Sequence, residues 1–174
     1  VRLKGGDPAI FGRATEELDA CRTAGVSVAI CPGVTAASAA AASLGQSLTL
    51  RGLARKLVFV TAHARAGEAL DLDWQALADP QATLAIYMGK AAADEVSRRL
   101  IGAGLSAQTP VALVENASLP DERQFHTRLG LLPLAARSAL GSGPALLLIG
   151  AALARLEAVA ELRDAALCAQ AVPA

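Results

Sequence analysis

The 174-residue chain carries sixteen basic and sixteen acidic side chains, so no global field recruits nucleic acid or an anionic membrane. Apolar residues make up 53% of it, enough for a sizeable core and too many for a disordered chain. Cys21, Cys31 and Cys168 are odd in number and lack a Cys-x-x-Cys pair, which argues against a disulfide framework and a zinc site.

Buried, reduced thiols are therefore expected, in keeping with a cytoplasmic setting. The longest uncharged apolar run, residues 145–154, is about half a membrane span, and no signal peptide is visible. Neither a membrane nor a nucleic-acid partner is expected.

Taken in order, residues 1–4 form a β-type run that meets the breaker Gly5-Gly6-Asp7-Pro8. Adjacent glycines let a backbone approach a ligand with no Cβ in the way. Asp7 adds a carboxylate there, and Pro8 stiffens the exit. A helix is expected over 15–25, with Glu16 and Glu17 favouring its dipole and Gly25 stopping it. Residues 26–31 read as a buried strand ending at Pro32-Gly33. Thr35 can then cap an alanine-rich helix that runs to about Leu44 and ends at Gly45.

Further on, 56–62 is a β run, 74–77 a short helix, and 82–88 a strand closed by Gly89. Residues 91–104 pattern as an amphipathic helix with Val96, Leu100 and Ile101 inward. Residues 111–115 are strand-like, and 123–128 can pair antiparallel with them after the Pro120-Asp121 turn. A helix over 131–140, a final buried strand over 145–149 and a helix over 151–168 complete the chain. Strands alternating with helices imply an α/β architecture. The expected division is residues 1–52 as the rear of one α/β domain, 53–168 as a second, and 169–174 as a frayed tail.

No nucleophile elbow, phosphate loop or dinucleotide fingerprint is present, so hydrolase, ATP and NAD readings lack support. His63 and His126 lie far apart outside any ligand motif, so no metal is expected. His63, at a strand end, is the better functional candidate of the two. Strand, glycine turn and helix in succession are how open α/β sheets build ligand sites.

The string from Val1 to Glu17, with Ile10-Phe-Gly-Arg13 inside it, resembles a signature of the tetrapyrrole methylase family, in its uroporphyrinogen-III branch. Pro32-Gly-Val-Thr-Ala-Ala-Ser38, Tyr87-Met-Gly89 and Pro110-Val-Ala-Leu-Val-Glu-Asn-Ala-Ser118 resemble the later motifs of that family in order and spacing. The resemblance covers roughly residues 1–155. It implies two α/β domains with S-adenosyl-L-methionine (SAM) in the cleft between them, usually in a homodimer. It also implies C-methylation of uroporphyrinogen III at C2 and C7 to precorrin-2, for sirohaem or cobalamin.

By that resemblance Gly5, Gly6, Asp7, Ile10, Thr35, Ala36, Met88 and Ala117 contact the cofactor. Ala117 stands where relatives can have glycine, so a backbone contact is expected. Methyl transfer from a sulfonium needs no protonated leaving group, so small residues and backbone suit the task better than acid/base machinery. Arg13 resembles a substrate-facing residue, and arginine suits the eight carboxylates of uroporphyrinogen III. Lys90, Arg51 and Arg65 are weaker candidates. The resemblance further implies that a stretch with a first glycine-rich motif and the acid/base residues precedes Val1. Catalytic residues are accordingly expected outside this chain.

Overall fold

The computed structural model describes residues 1–63 and 70–154. Five strands, β1 (Lys56–Thr61), β2 (Ala82–Tyr87), β3 (Pro110–Glu115), β4 (Arg123–Arg128) and β5 (Ala145–Ile149), form one sheet in the order β1-β2-β5-β3-β4. β1 and β2 are parallel, whereas β5 runs antiparallel to both of its neighbours and β4 pairs antiparallel with β3. The parallel pair needs a crossover, and the connection through the short helix α3 (Trp74–Leu77) supplies it. The α/β class expected from the alternating pattern stands.

Among the described residues β5 is the last strand in sequence and the central one in space. That position explains its unbroken apolar run, because both of its faces are covered. On one face Leu84, Ile86, Leu113, Leu147 and Ile149 pack against Val96, Leu100 and Leu132. Those three belong to α4 (Ala93–Gly102) and α5 (Leu132–Ser138). On the other, Ala85, Ala112, Val114, Leu146 and Leu148 meet Ala37 and Ala40 of α2 (Ala36–Ser43). Each fully buried Leu or Ile contributes about 1.5–3 kcal/mol over the exposed side chain. Alanines on α2 let its backbone lie close to the sheet.

The first 34 residues depart from expectation. Only α1 (Ala14–Thr23) is regular there, and it buries none of its residues. Residues 1–4 and 26–31 are not strands. Among the described residues neither segment has a ladder partner, and Val26, Val28 and Ile30 are all exposed. An extended segment becomes a strand only when a neighbour takes its backbone hydrogen bonds. The same lack of a covering layer leaves Cys31 exposed and Cys21 half-buried, against the expectation of buried thiols. Past β5 a short 3-10 turn, Ala151–Leu153, is described. The helix expected to Cys168, the tail and Arg65 lie outside the described residues. No helix among the described residues is long and apolar enough to cross a membrane.

Candidate functional site

A cleft of about 760 Å³ opens where β2 and β3 end and β5 begins, beneath the first turn of α2. Gly5, Gly6, Ala36, Met88 and Ala117 line it, and among the described residues no charged side chain does. Five separate stretches of sequence thus converge on one hollow, the fifth being residues 144–146.

The glycine turn reaches the cleft because its backbone is pinned from behind. Gly6 has φ of 95°, in the left-handed region that glycine tolerates. Asp7 accepts the N–H of Ala9 on Oδ1 at 2.8 Å and the N–H of Gly33 on Oδ2 at 3.0 Å. Its carbonyl accepts the N–H of Ile10 at 3.2 Å. Asp7 therefore ties the Gly5-Gly6 turn to the Pro32-Gly33 turn. The two backbones cross so closely that a Cβ on Gly33 would lie 2.5 Å from the carbonyl oxygen of Gly6. At Gly5, by contrast, a Cβ would meet nothing within 4 Å, so this face of the turn is open.

Thr35 occupies the N-cap position of α2, yet its side chain does not cap that helix. Its Oγ1 lies 2.6 Å from the hydroxyl of Tyr87, and Tyr87 in turn accepts the N–H of Ala37 at 3.1 Å. The expected cap is supplied by the strand instead. Tyr87 also packs its ring on Phe11 and Phe59, with centroids 4.8 and 5.8 Å away.

Met88 follows with φ of 55°, and a Cβ on Gly89 would meet Leu147 Cδ1 at 2.8 Å. Gly89 thus lets the turn hug the core while the half-exposed Met88 faces the cleft. Among the described residues, five that are not glycine have positive φ: Phe11, Arg13, Met88, Asn116 and Ser118. Met88, Asn116 and Ser118 line the cleft, and Phe11 stacks on its wall. Uncommon backbone conformations gather where a structure holds a ligand site.

Of the remaining residues singled out in the sequence, Asp7, Ile10 and Thr35 do not line the cleft; Asp7 and Thr35 bond to groups next to its lining residues. Arg13 lies in a shallow groove with Lys4, Glu16 and Glu17, which Phe11 also lines. Its guanidinium meets Glu16 Oε2 at 2.6 Å, and that bond holds it still more firmly in its charged form. Glu17 is held below the usual carboxylate range by Lys4 first and by Arg2 beside it. His63 and Arg51 are exposed and do not line the cleft. Lys90 does not line the cleft either; it donates to the carbonyl of Gly141.

Two participants escaped the sequence reading. Tyr87 is the only tyrosine in the chain, and a phenol ending a buried strand requires a partner. That was a usable signal. Glu115, which ends β3, is the other. The Gly141 N–H, 2.7 Å from Oε2, holds its carboxyl below the ordinary range despite burial, with the Gly143 N–H, Lys90 and Arg123 adding to the effect. A glutamate at a strand end looks like a solvated one, so nothing local marked it.

The model of the Tetrapyrrole (Corrin/Porphyrin) Methylases matches residues 1–133. The chain is 47% identical over 157 residues to the uroporphyrinogen-III C-methyltransferase of Paracoccus denitrificans, a match covering 90% of this chain and 55% of that one. A solved uroporphyrin-III C-methyltransferase of Thermus thermophilus, complexed with S-adenosyl homocysteine, superposes with a TM-score of 0.73 at 36% identity, covering 88% of this chain and 66% of that one. A cobalt precorrin-4 methyltransferase superposes with a TM-score of 0.77 at 32% identity, covering 85% and 62% respectively. The chain spans 31% to 55% of the length of the first curated relatives it matches.

Proposed function

We propose, from the premise that this chain belongs to the tetrapyrrole methylase family, that it is part of an enzyme that C-methylates uroporphyrinogen III with SAM as methyl donor. Methylation at C2 and C7 gives precorrin-2, for sirohaem or cobalamin. Residues 1–52 and 53–168 would belong to its two α/β domains, and a cytoplasmic homodimer is part of the same reading.

One observation carries it: Gly5, Gly6, Ala36, Met88 and Ala117, drawn from four motifs, line one cleft that has no charged side chain among the described residues. Its volume lies within the range of small-molecule sites. The open face of Gly5 leaves room for a ligand against bare backbone. When bound, SAM supplies an electrophilic methyl on a sulfonium.

The residues of this chain bind and orient. The Gly5-Gly6 turn and Ala36 would hold one side of the donor, Met88 and the Asn116-Ala117 backbone the other. Asp7, Ile10 and Thr35 would fix the turns that present those groups. Among the described residues no carboxylate or imidazole lines the cleft, so those residues offer binding and orientation rather than a base for the proton that leaves the methylated ring. Arg13 would receive a substrate carboxylate from its groove beyond Phe11. Precise placement of donor and acceptor is the main lever in such a transfer.

The test is an anaerobic incubation of the full-length protein with SAM and uroporphyrinogen III, read by product mass. Gain of two methyl groups is expected. No methylation despite intact SAM binding would favour the second reading, another tetrapyrrole methylase, for which the TM-score of 0.77 to the precorrin-4 enzyme speaks. No SAM binding would sink both.

A further inference from the structure

Among the described residues Glu115 is the one charged side chain buried in the core, 2% exposed at the end of the otherwise apolar β3. Its Oε2 accepts the Gly141 N–H at 2.7 Å, and the Gly143 N–H faces the same carboxylate. Lys90 Nζ stands 3.6 Å from its Oε1 and also donates to the Gly141 carbonyl. Arg123, directly opposite on β4, adds a second positive charge.

One carboxylate thus fastens three segments: 88–90 through Lys90, 115–118 through its own backbone, and 141–145 through Gly141. Each of the three contributes a wall of the cleft, at Met88, Ala117 and Ala145. The second and third are joined again where the Asn116 N–H donates to the Pro144 carbonyl at 2.9 Å. They touch so closely that a Cβ on Gly143 would lie 2.3 Å from Asn116 Oδ1. An apolar side chain would close β3 without the desolvation penalty of a buried ion. What it could not do is hold one loop by a hydrogen bond, at Gly141, while drawing in the lysine of another by charge, at Lys90.

We propose that Glu115 is a positioning residue that holds the three walls in register and so sets affinity for the methyl donor rather than for the acceptor. The inference rests on the methyl-donor reading of the cleft. Glu115→Gln keeps the shape of the side chain but replaces one acceptor oxygen with a donor and removes the charge facing Lys90 and Arg123.

In the full-length protein, at a temperature where the variant is folded by circular dichroism, affinity for S-adenosyl homocysteine should fall about tenfold. The KM for the tetrapyrrole should hold. Amide exchange should accelerate together in segments 88–90, 116–118 and 141–145, while β5 stays protected. Unchanged affinity beside a lowered melting temperature would overturn the proposal by reducing Glu115 to a purely structural role. Should this variant not fold, Lys90→Met decides, because it removes the half-exposed cation that ties segment 88–90 to the carboxylate and leaves Glu115 on the Gly141 N–H. Unchanged affinity in that variant overturns the proposal as well. If the wild-type protein binds no S-adenosyl homocysteine, the methyl-donor reading is what fails. The exchange experiment still judges the tie, and acceleration confined to 141–143 overturns it.

Discussion

The hydroxyl of Tyr87 sits 2.6 Å from Thr35 Oγ1 and accepts the Ala37 N–H, so the last residue of β2 caps the first turn of α2 from across the cleft. An N-cap threonine ordinarily satisfies its own helix. Here that task passes to a strand 52 residues later, and Ala36, between the two bonded positions, is held over the hollow. Helix and sheet are thereby joined by directed bonds at the very point where a ligand would enter. Elsewhere their contact is apolar and tolerates sliding.

Tyr87→Phe removes those bonds and keeps the ring contacts with Phe11 and Phe59. Loss of stability by about 1–2 kcal/mol is expected in urea unfolding, because the Ala37 N–H loses its acceptor. Affinity for S-adenosyl homocysteine should fall as well, since the helix end is freed. A variant as stable and as tightly binding as the parent would show the hydroxyl to be incidental.

Asp7→Ala takes away the acceptor of two backbone N–H groups, those of Ala9 and Gly33. The Gly5-Gly6 turn then loses its tie to the Pro32-Gly33 turn, and cofactor titration should weaken by about tenfold or more. Asp7→Asn keeps one amide oxygen as an acceptor and should lie between. Wild-type titration curves for Asp7→Ala would count against this cleft as the cofactor site.

Most of the sheet was legible because its strands carry their own signal. The apolar run of β5 and the β3–β4 hairpin appear where the pattern puts them, since burial on both faces or on one writes itself into the side chains. Residues 26–31 carry the same signal and form no strand, because apolar pattern specifies a tendency to be covered and not the neighbour that covers. Of the motif residues, Gly5, Gly6, Ala36, Met88 and Ala117 line one cleft, and Asp7, Ile10 and Thr35 do not. Thr35 was placed correctly and its bond was not, because a cap donated by Tyr87 depends on which strand end lies nearby. Glu115 was illegible for a related reason: its burial comes from Gly141 and Gly143, which arrive 26 and more residues later.

Gly33→Ala should be among the more damaging small substitutions. Its Cβ would meet backbone, the Gly6 carbonyl oxygen at 2.5 Å, where no flexible side chain can yield. Separation of the two turns is expected, with a loss of about 1–3 kcal/mol in unfolding free energy. Cofactor binding should decline in parallel. Gly5→Ala makes the contrast: nothing lies within 4 Å of that Cβ, so stability should hold while ligand affinity drops. Equal behaviour of the two variants in a paired melting and titration experiment would contradict the geometry.

The depressed pKa of Glu115 makes a pH prediction with a definite sign. The Gly141 N–H first, then the Gly143 N–H, Lys90 and Arg123, favour the ionised form in the folded state over the unfolded one. Its contribution is therefore fully present above the ordinary glutamate value and lost as pH falls through the lower folded value. The stability difference between wild type and Glu115→Gln should stay level from about pH 8 to 5.5 and shrink below about pH 4.5. Urea unfolding at a series of pH values reads it directly, and other carboxylates cancel in the difference. A gap that widened on acidification would reverse the assignment.

Arg13→Ala tests the acceptor side of the proposed reaction. Arg13 holds a left-handed backbone, φ 56°, just ahead of α1, and its side chain is 80% exposed while paired with Glu16. An ion pair that exposed is weakly held, so the guanidinium can leave Glu16 for a substrate carboxylate at little cost. Loss of the side chain should raise the KM for uroporphyrinogen III and leave S-adenosyl homocysteine titration unchanged. Arg13→Lys keeps the charge without the planar fork, so only partial recovery is expected if the contact is bidentate. Stability should barely move, because the side chain is solvated. A loss confined to cofactor affinity would put Arg13 on the donor side of Phe11, and the shallow groove with Lys4 would then have no claim on the tetrapyrrole.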